Sequence, residues 1–279
     1  VDNRELGVNF QGVDGDLSET VIRSTRSNGR SRLGLGLQVK IDGDWGDSPA
    51  VTVTDVQIRD NRAAGIYAEG AELTLERVVV EGSQPDDAGV GGRGINAVCS
   101  PERGHCGTLT AVACRVLDSA DSGVSVAGPV ADLQRCEVAR NGLLALELNP
   151  SAGINARCTS VAPNSCGALS VTDTHVHDNV MAGIIGYGVP MTLTRLSVVD
   201  QQPLDWGAYG RGIAAQCFDG SCPASSLTDS LVANNTEFSV FTWGPDLDIT
   251  GTILRGTRAQ PFDGTHGRGL GGRGDAGED

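Results

Sequence analysis

Two apolar columns recur down this chain at a spacing that constrains the fold more than any other feature. The first runs Leu17, Val53, Leu75, Ala111, Leu133, Val171, Leu193, Leu227 and Ile249, at intervals of 36, 22, 36, 22, 38, 22, 34 and 22 residues. The second lies five residues further on, at Ile22, Ile58, Val80, Val116, Val138, Val176, Val198, Val232 and Leu254, and is apolar throughout. Such columns mark stacked strands with a shared interior. Alternating runs such as Leu73-Thr74-Leu75-Glu76-Arg77-Val78-Val79-Val80 end in turn pairs such as Asp60-Asn61, Asp178-Asn179 and Asn234-Asn235. A 22-residue strand-turn-strand unit cannot bury its apolar face alone, so successive units must stack in parallel at about 4.8 Å per coil. The expected fold is all-β: a right-handed parallel β-helix solenoid of alternating 22-residue and 34–38-residue coils, its hand set by the crossover rule for parallel strands. One such domain is expected over residues 1–270, followed by a flexible Gly/Asp-rich tail at 271–279.

Cysteines follow the same period. Cys99, Cys158 and Cys217 are 59 and 59 residues apart, and each is followed by a second cysteine, Cys106, Cys166 and Cys222. The flanks agree: Gly94-Ile95-Asn96-Ala97, Gly153-Ile154-Asn155-Ala156 and Gly212-Ile213-Ala214-Ala215. The loops inside the pairs hold six, seven and four residues, a variation that short disulfides tolerate and a zinc knuckle does not. Three local disulfides are therefore expected, and with them an oxidising location: extracellular, cell-surface or periplasmic. Cys114 and Cys136, 22 residues apart, share one column on adjacent coils; a fourth disulfide and stacked free thiols are both compatible with that position.

The apolar columns together with the turns Asp60-Asn61 before Gly65-Ile66, and Asp178-Asn179 before Gly183-Ile184, give a chain that resembles the right-handed parallel β-helix superfamily, the pectin-lyase-like fold, particularly its secreted bacterial repeat proteins. The resemblance covers roughly residues 1–270. It implies a solenoid and is nearly silent on activity, because the fold hosts many functions.

Candidate sites fall into copied features and exceptions. Three lateral loops are copied: Gln84-Pro85-Asp86-Asp87 leading to Arg93, Gln202-Pro203-Leu204-Asp205 with Trp206 leading to Arg211, and Gln260-Pro261-Phe262-Asp263 leading to Arg268. Asp87, Arg93, Asp205, Trp206, Arg211, Asp263 and Arg268 are the candidate carbohydrate-binding residues; the plainer expectation is an Asp-to-Arg ion pair pinning each loop. Asp55 with Arg77, and Asp173 with Arg195, alternate on adjacent coils and read as cross-strand ladders. Among the exceptions, Asp173, His175 and His177 sit at alternate positions and are expected on one strand face, with Glu137 one coil below His175 and Ser197 one coil above. That group would supply a general acid and base, or hold a divalent metal; a solvated polar face is the plainer alternative. Asp42, Asp44 and Asp47, in Asp42-Gly43-Asp44-Trp45-Gly46-Asp47, stand where later coils carry a disulfide loop. No cofactor is expected: an acidic surface turn is the plainer reading there, and a Ca²⁺ staple, without the order of an EF-hand, is the alternative. Arg273-Gly274-Asp275 is read as chance in a Gly/Asp tail.

Composition limits the partners. A formal charge of −14 with no basic cluster excludes nucleic acid, and no apolar stretch is long enough for a membrane-spanning helix. The chain starts at Val1 without a leader and breaks off inside a long coil, so it is expected to be a mature or excised piece of a longer protein, and monomeric. The leading expectation is a non-catalytic extracellular or cell-surface scaffold, adhesin-like, that contacts polysaccharide or a surface partner through its lateral loops. The alternative is a polysaccharide-active lyase, hydrolase or epimerase, as the fold resemblance implies. Against it stand the single lysine, Lys40, with no basic residue set beside an acidic cluster, and the scarcity of aromatic platforms, with three tryptophans, Trp45, Trp206 and Trp243.

Overall fold

The computed structural model describes residues 3–27, 33–42, 48–142, 151–159, 166–218 and 220–273. Every regular element among them is a β-strand, and each coil contributes three strands rather than two. The strands stack into three parallel sheets of ten, nine and nine strands, each strand pairing with its counterparts one coil away. The first sheet runs from Leu6–Gln11 to Arg268–Arg273, the second from Gly15–Ser18 to Leu247–Thr250, and the third from Val21–Arg23 to Ile253–Arg255.

Both apolar columns are strand registers. Leu75 pairs with Val53 and Ala111 in the second sheet, and Val176 with Val138 and Val198 in the third. The first sheet supplies a third column, in which Leu37, Ile66, Ile95, Val124, Ile154, Ile184 and Ile213 lie in register. The three columns form one continuous core, with Leu75, Val176 and Ile184 fully buried. Each such residue contributes about 1.5–3 kcal/mol relative to exposure.

The corners have a simple cause. Between the second and third sheets one residue per coil takes a left-handed conformation: Asp55 (φ 55°), Arg77 (53°), Ala113 (54°), Arg135 (53°), Asp173 (51°), Arg195 (52°) and Asp229 (51°). After the third sheet a second such column follows, including Asp60 (54°), Asp118 (55°), Arg140 (55°), Asp178 (54°) and Asn234 (56°). A single left-handed residue bends the strand direction, and Asp and Asn tolerate it best. The residue after the second corner points inward and builds a buried amide ladder: Asn141 Nδ2 donates to Asn179 Oδ1 (2.9 Å), Asn179 Nδ2 to Gln201 Oε1 (3.2 Å), and the Gln201 N–H to Asn235 Oδ1 (3.1 Å). Against this ladder run glycines. A Cβ at Gly36 would lie 2.6 Å from both the Gly65 carbonyl oxygen and Ile58 Cγ2, so no larger residue fits that inner corner without displacing backbone.

Three disulfides close as expected, Cys99–Cys106, Cys158–Cys166 and Cys217–Cys222, with Cα separations of 4.0, 4.2 and 4.5 Å. Cys114 and Cys136 form no fourth bond; both are free, buried thiols. Their shared hydrogen bond and burial push the Cys114 thiol up.

Candidate functional site

In the long coils a lateral loop leads into a first-sheet strand and a disulfide loop leads out of it. Loop 84–92 enters Arg93–Val98, which exits to Cys99; loop 202–210 enters Arg211–Gln216, which exits to Cys217. The outer face of the ten-stranded sheet is thus the floor of a trough between two rows of loops. Its outward columns are free of the repeat's packing demands, and they change character along the rod.

Toward the C-terminal coils the floor is aromatic. Register places Ala182, Arg211 and Phe238 near one side, Ile185, Ala214 and Phe241 centrally, and Tyr187, Gln216 and Trp243 at the other side. With Tyr209 and His266 from the lateral loops, these side chains line a cavity of about 400 Å³. Arg211 grips Glu237 through two hydrogen bonds, Nε to Oε2 at 2.6 Å and Nη2 to Oε1 at 2.8 Å, and Glu237 is only 5% exposed. The same guanidinium lies over Phe241 (4.3 Å to the ring centre) and Tyr209 (5.0 Å). Trp206 meets Tyr209 and Phe262 edge-on, both at 6.0 Å, so two lateral loops of successive long coils are tied by rings. Burial raises the Tyr187 hydroxyl, keeping it a neutral donor.

Toward the N-terminal coils the floor is polar. Gln38, Lys40, Tyr67, Glu69, Arg93 and Asn96 line a second cavity, of about 510 Å³, walled by Asp86 and Val90 of the first lateral loop. Glu69 accepts from Tyr67 (2.8 Å) and Ser100 (3.3 Å) and pairs with Lys40 (3.4 Å). Burial, with the Glu69 charge, pushes the Tyr67 hydroxyl well up. Arg93 donates to Asp121 (3.0 Å) and Asn96 (3.2 Å). Between the two cavities Arg157 carries no ion pair among the described residues; burial and the neighbouring Arg93 charge lower its pKa.

The copied loop residues need correction. None of the expected Asp-to-Arg pairs forms within a loop. Arg93 and Arg211 point out of the strand onto the floor and take their acid from the next coil, Asp121 and Glu237. The first loop is pinned by Asp86, whose Oδ1 accepts the Ala88 and Val90 N–H groups at 2.8 and 2.9 Å. Asp87 instead faces Ser24, Arg26, Asp60 and Arg62 on the far side. Asp205 is exposed, Asp263 bonds Thr265 (2.8 Å), and Arg268 is exposed without an ion pair among the described residues. Of the candidate loop residues, Trp206, 45% exposed, is the one that joins the aromatic group, beside Tyr209 and Phe262.

The histidine cluster lies elsewhere, on the outer face of the third sheet. His175 and His177 flank Val176 in strand His175–His177, with Glu137 and Ser197 in register with His175 as expected. Asp173 is the left-handed corner residue just ahead of the strand; it lines one surface depression with His175, Arg195 and Ser197, and its carboxylate is taken by Arg195 at 2.6 and 2.7 Å. The companion pair Arg77–Asp55 forms likewise at 2.7 and 2.9 Å. The group that assembles is different: the two rings stack at 4.2 Å, His177 Nδ1 lies 2.7 Å from Asp178 Oδ2, and His177 Nε2 lies 3.3 Å from Glu137 Oε1. Arg115 Nε donates to Glu137 Oε2 at 2.7 Å. Burial works against the Glu137 carboxylate, but Arg115 and His177 more than offset it and hold the carboxyl below its ordinary range. Burial and the His177 charge lower His175.

Of the acidic turn, Asp42 is among the described residues, whereas Asp44 and Asp47 lie outside them, as do Gly274 and Asp275 of the tripeptide. Among the described residues no three His, Cys, Asp or Glu side chains converge as a preformed metal site, and no helix is long and apolar enough to cross a membrane. Comparison with known protein families, with curated proteins and with solved structures gives no match.

Proposed function

We propose that this protein is a non-catalytic extracellular scaffold that binds carbohydrate in the trough of its ten-stranded sheet, with the aromatic cavity as the principal seat. One observation carries the reading. The chain has eleven aromatic residues, and seven of them, Tyr187, Trp206, Tyr209, Phe238, Phe241, Trp243 and Phe262, gather at this one place. Sugar rings offer apolar C–H faces with polar edges, and a shallow floor of rings beside Gln216 and Arg211 supplies both kinds of partner. Glu237 is the one carboxylate lining the cavity, and Arg211 neutralises it, so a neutral glycan suits the seat better than a polyanion facing a chain of charge −14. The three disulfides support an oxidising compartment.

The test is affinity electrophoresis of the full chain against neutral and acidic polysaccharides, with reducing and unsaturated ends assayed in parallel. Retardation by a neutral glycan is expected, weakened at least tenfold in Trp243→Ala and in Phe241→Ala. Absence of retardation by every glycan, or binding untouched by both substitutions, would refute the seat; release of new ends would refute the non-catalytic half.

A further inference from the structure

We propose that a depression at the corner between the third sheet and the first, on the N-terminal coils and outside the trough, binds phosphate that carries a proton, either free or as a phosphate monoester. Arg26, Arg62 and the Ser24 and Ser27 hydroxyls would donate to it, and Asp60 and Asp87 would accept its proton. The assignment starts from a column of like charges that coiling assembles. Arg4 and Arg26 pair in register on adjacent coils. The Arg26 and Arg62 N–H groups donate to the Asn3 and Thr25 carbonyls at 3.0 and 3.1 Å, successive steps of one ladder. Three arginines that stand 22 and 36 residues apart in sequence thus rise from backbone about 4.8 Å apart, and all three side chains are exposed. Like charges set opposite one another on neighbouring strands are destabilising. The repeat does not require them, because the same column continues as Gln84, Ala120, Gly142 and Val180.

The lining says which anion suits the place. Ser24, Arg26, Ser27, Asp60, Arg62 and Asp87 surround about 420 Å³, and none of them lines either trough cavity. Arg62 shares this space with two aspartates and forms an ion pair with neither. Its one hydrogen bond among the described residues runs from Nη1 to the Pro85 carbonyl at 3.1 Å. Opposite charges that line one space without meeting leave it to a ligand that can bond both. Ser27 Oγ, buried and without a hydrogen-bond partner among the described residues, adds an unused hydroxyl beside them. Guanidinium and hydroxyl groups donate, whereas ionised aspartates only accept. The ligand that satisfies this lining is therefore an anion with an O–H of its own. Inorganic phosphate keeps an O–H at neutral pH, and a phosphate monoester, with a second pKa of about 6, keeps one in part; sulfate and ionised carboxylates have none. The arginine fork also bonds phosphate oxygens in pairs, which adds geometric specificity.

Isothermal titration of the full chain with sodium phosphate, glucose 1-phosphate and sodium sulfate, at pH 7 and constant ionic strength, tests this. One phosphate per chain is expected, taken up as the free ion or as the ester and bound at least about tenfold more tightly than sulfate. Arg62→Gln and Arg26→Gln should each weaken that uptake at least about tenfold. Asp60→Asn combined with Asp87→Asn should raise sulfate affinity until the two anions bind alike, a response that a merely structural role for the aspartates would not give. Circular dichroism should match the parent, since all four altered side chains are exposed. Arg255→Gln, on the last strand of the third sheet, and Trp243→Ala, in the trough, should leave phosphate binding unchanged, so a failure of the trough and a failure of this site are read separately. No saturable phosphate uptake, sulfate bound by the parent chain as tightly as phosphate, or uptake that survives both arginine substitutions would overturn the proposal.

Discussion

Replacing Arg211 by Met tests whether the trough rests on a buried ion pair or on its rings alone. The side chains of Arg211 and Glu237 are 15% and 5% exposed, and two hydrogen bonds join them. Deleting the cation leaves Glu237 a buried carboxylate with no counter-charge, and breaking one partner of such a pair costs about 3–5 kcal/mol. For a domain of this size that is a fall in Tm of roughly 6–20 °C, at about 2–4 °C per kcal/mol. Because stability in a solenoid is a sum of neighbour-to-neighbour terms, the loss should be local. It would show as an early transition confined to the coils carrying Phe238–Trp243 and Arg268–Arg273, read by hydrogen exchange alongside calorimetry. The double variant Arg211→Met, Glu237→Met should recover most of the loss, since removing both charges of a buried pair is nearly neutral where either deletion alone is not. A single variant melting within 2 °C of the parent, or a double variant no better than the single, would refute the reasoning and hand the stability of this region to its aromatic packing.

Cys114 and Cys136, 2% and 5% exposed, should resist thiol reagents in the native protein and give two reactive thiols per chain on unfolding; a native chain with no titratable thiol after unfolding would mean the pair had oxidised. Reduction of the three local disulfides removes about 2–3 kcal/mol each by loop-entropy arithmetic, so mild reductant should speed hydrogen exchange in the loops after Val98, Arg157 and Gln216 before the rod melts. Acid should destabilise the corners: the arginine partners of Asp55 and Asp173 hold those carboxyls below the ordinary 3.8, and Glu137 sits below 4.5. A lowered carboxyl stabilises above its unfolded pKa and loses that contribution as pH falls through the folded value, and the lowered His175 likewise favours the unfolded state once pH falls below its ordinary 6.5, so a titration followed by circular dichroism should show a first decline below about pH 6.5 and a second below about pH 4 to 5.

Much of the architecture was legible because a solenoid repeats its inward demands. Val53, Leu75 and Ala111 must fill the same slot on successive coils, so their spacing stays visible over the whole chain. The third strand was harder to see, and its period explains why. Measured at Leu37, Ile66, Ile95, Val124, Ile154 and Ile184 the interval is 29 or 30 residues, because a lateral loop falls before one strand and a disulfide loop after it, and each short coil lacks both. The 22/36 alternation of the other columns is the same chain counted from a point where both insertions land in one interval. Corner geometry was hidden as well: Asp173 looked like a strand position because period-two reasoning has no way to sense a left-handed residue at φ 51°.

The candidate seat was hidden for a different reason. Three tryptophans spread over two hundred residues looked too few for a sugar platform, and in linear order Tyr187, Tyr209, Phe238 and Trp243 have nothing in common. Strands about 29 residues apart come to lie about 4.8 Å apart once coiled, so Tyr187, Gln216 and Trp243 become vertical neighbours, as do Ile185, Ala214 and Phe241. Inward columns must keep their residue type from coil to coil, whereas outward columns need not. A change of type along an outward column is therefore the signal to seek in a solenoid. In this chain the central column passes from Gln38, Tyr67, Asn96, Ser125 and Asn155 to Ile185, Ala214 and Phe241. Stability of the repeat does not ask for that change, which is why the aromatic end of the trough, rather than any copied loop, is where binding is expected.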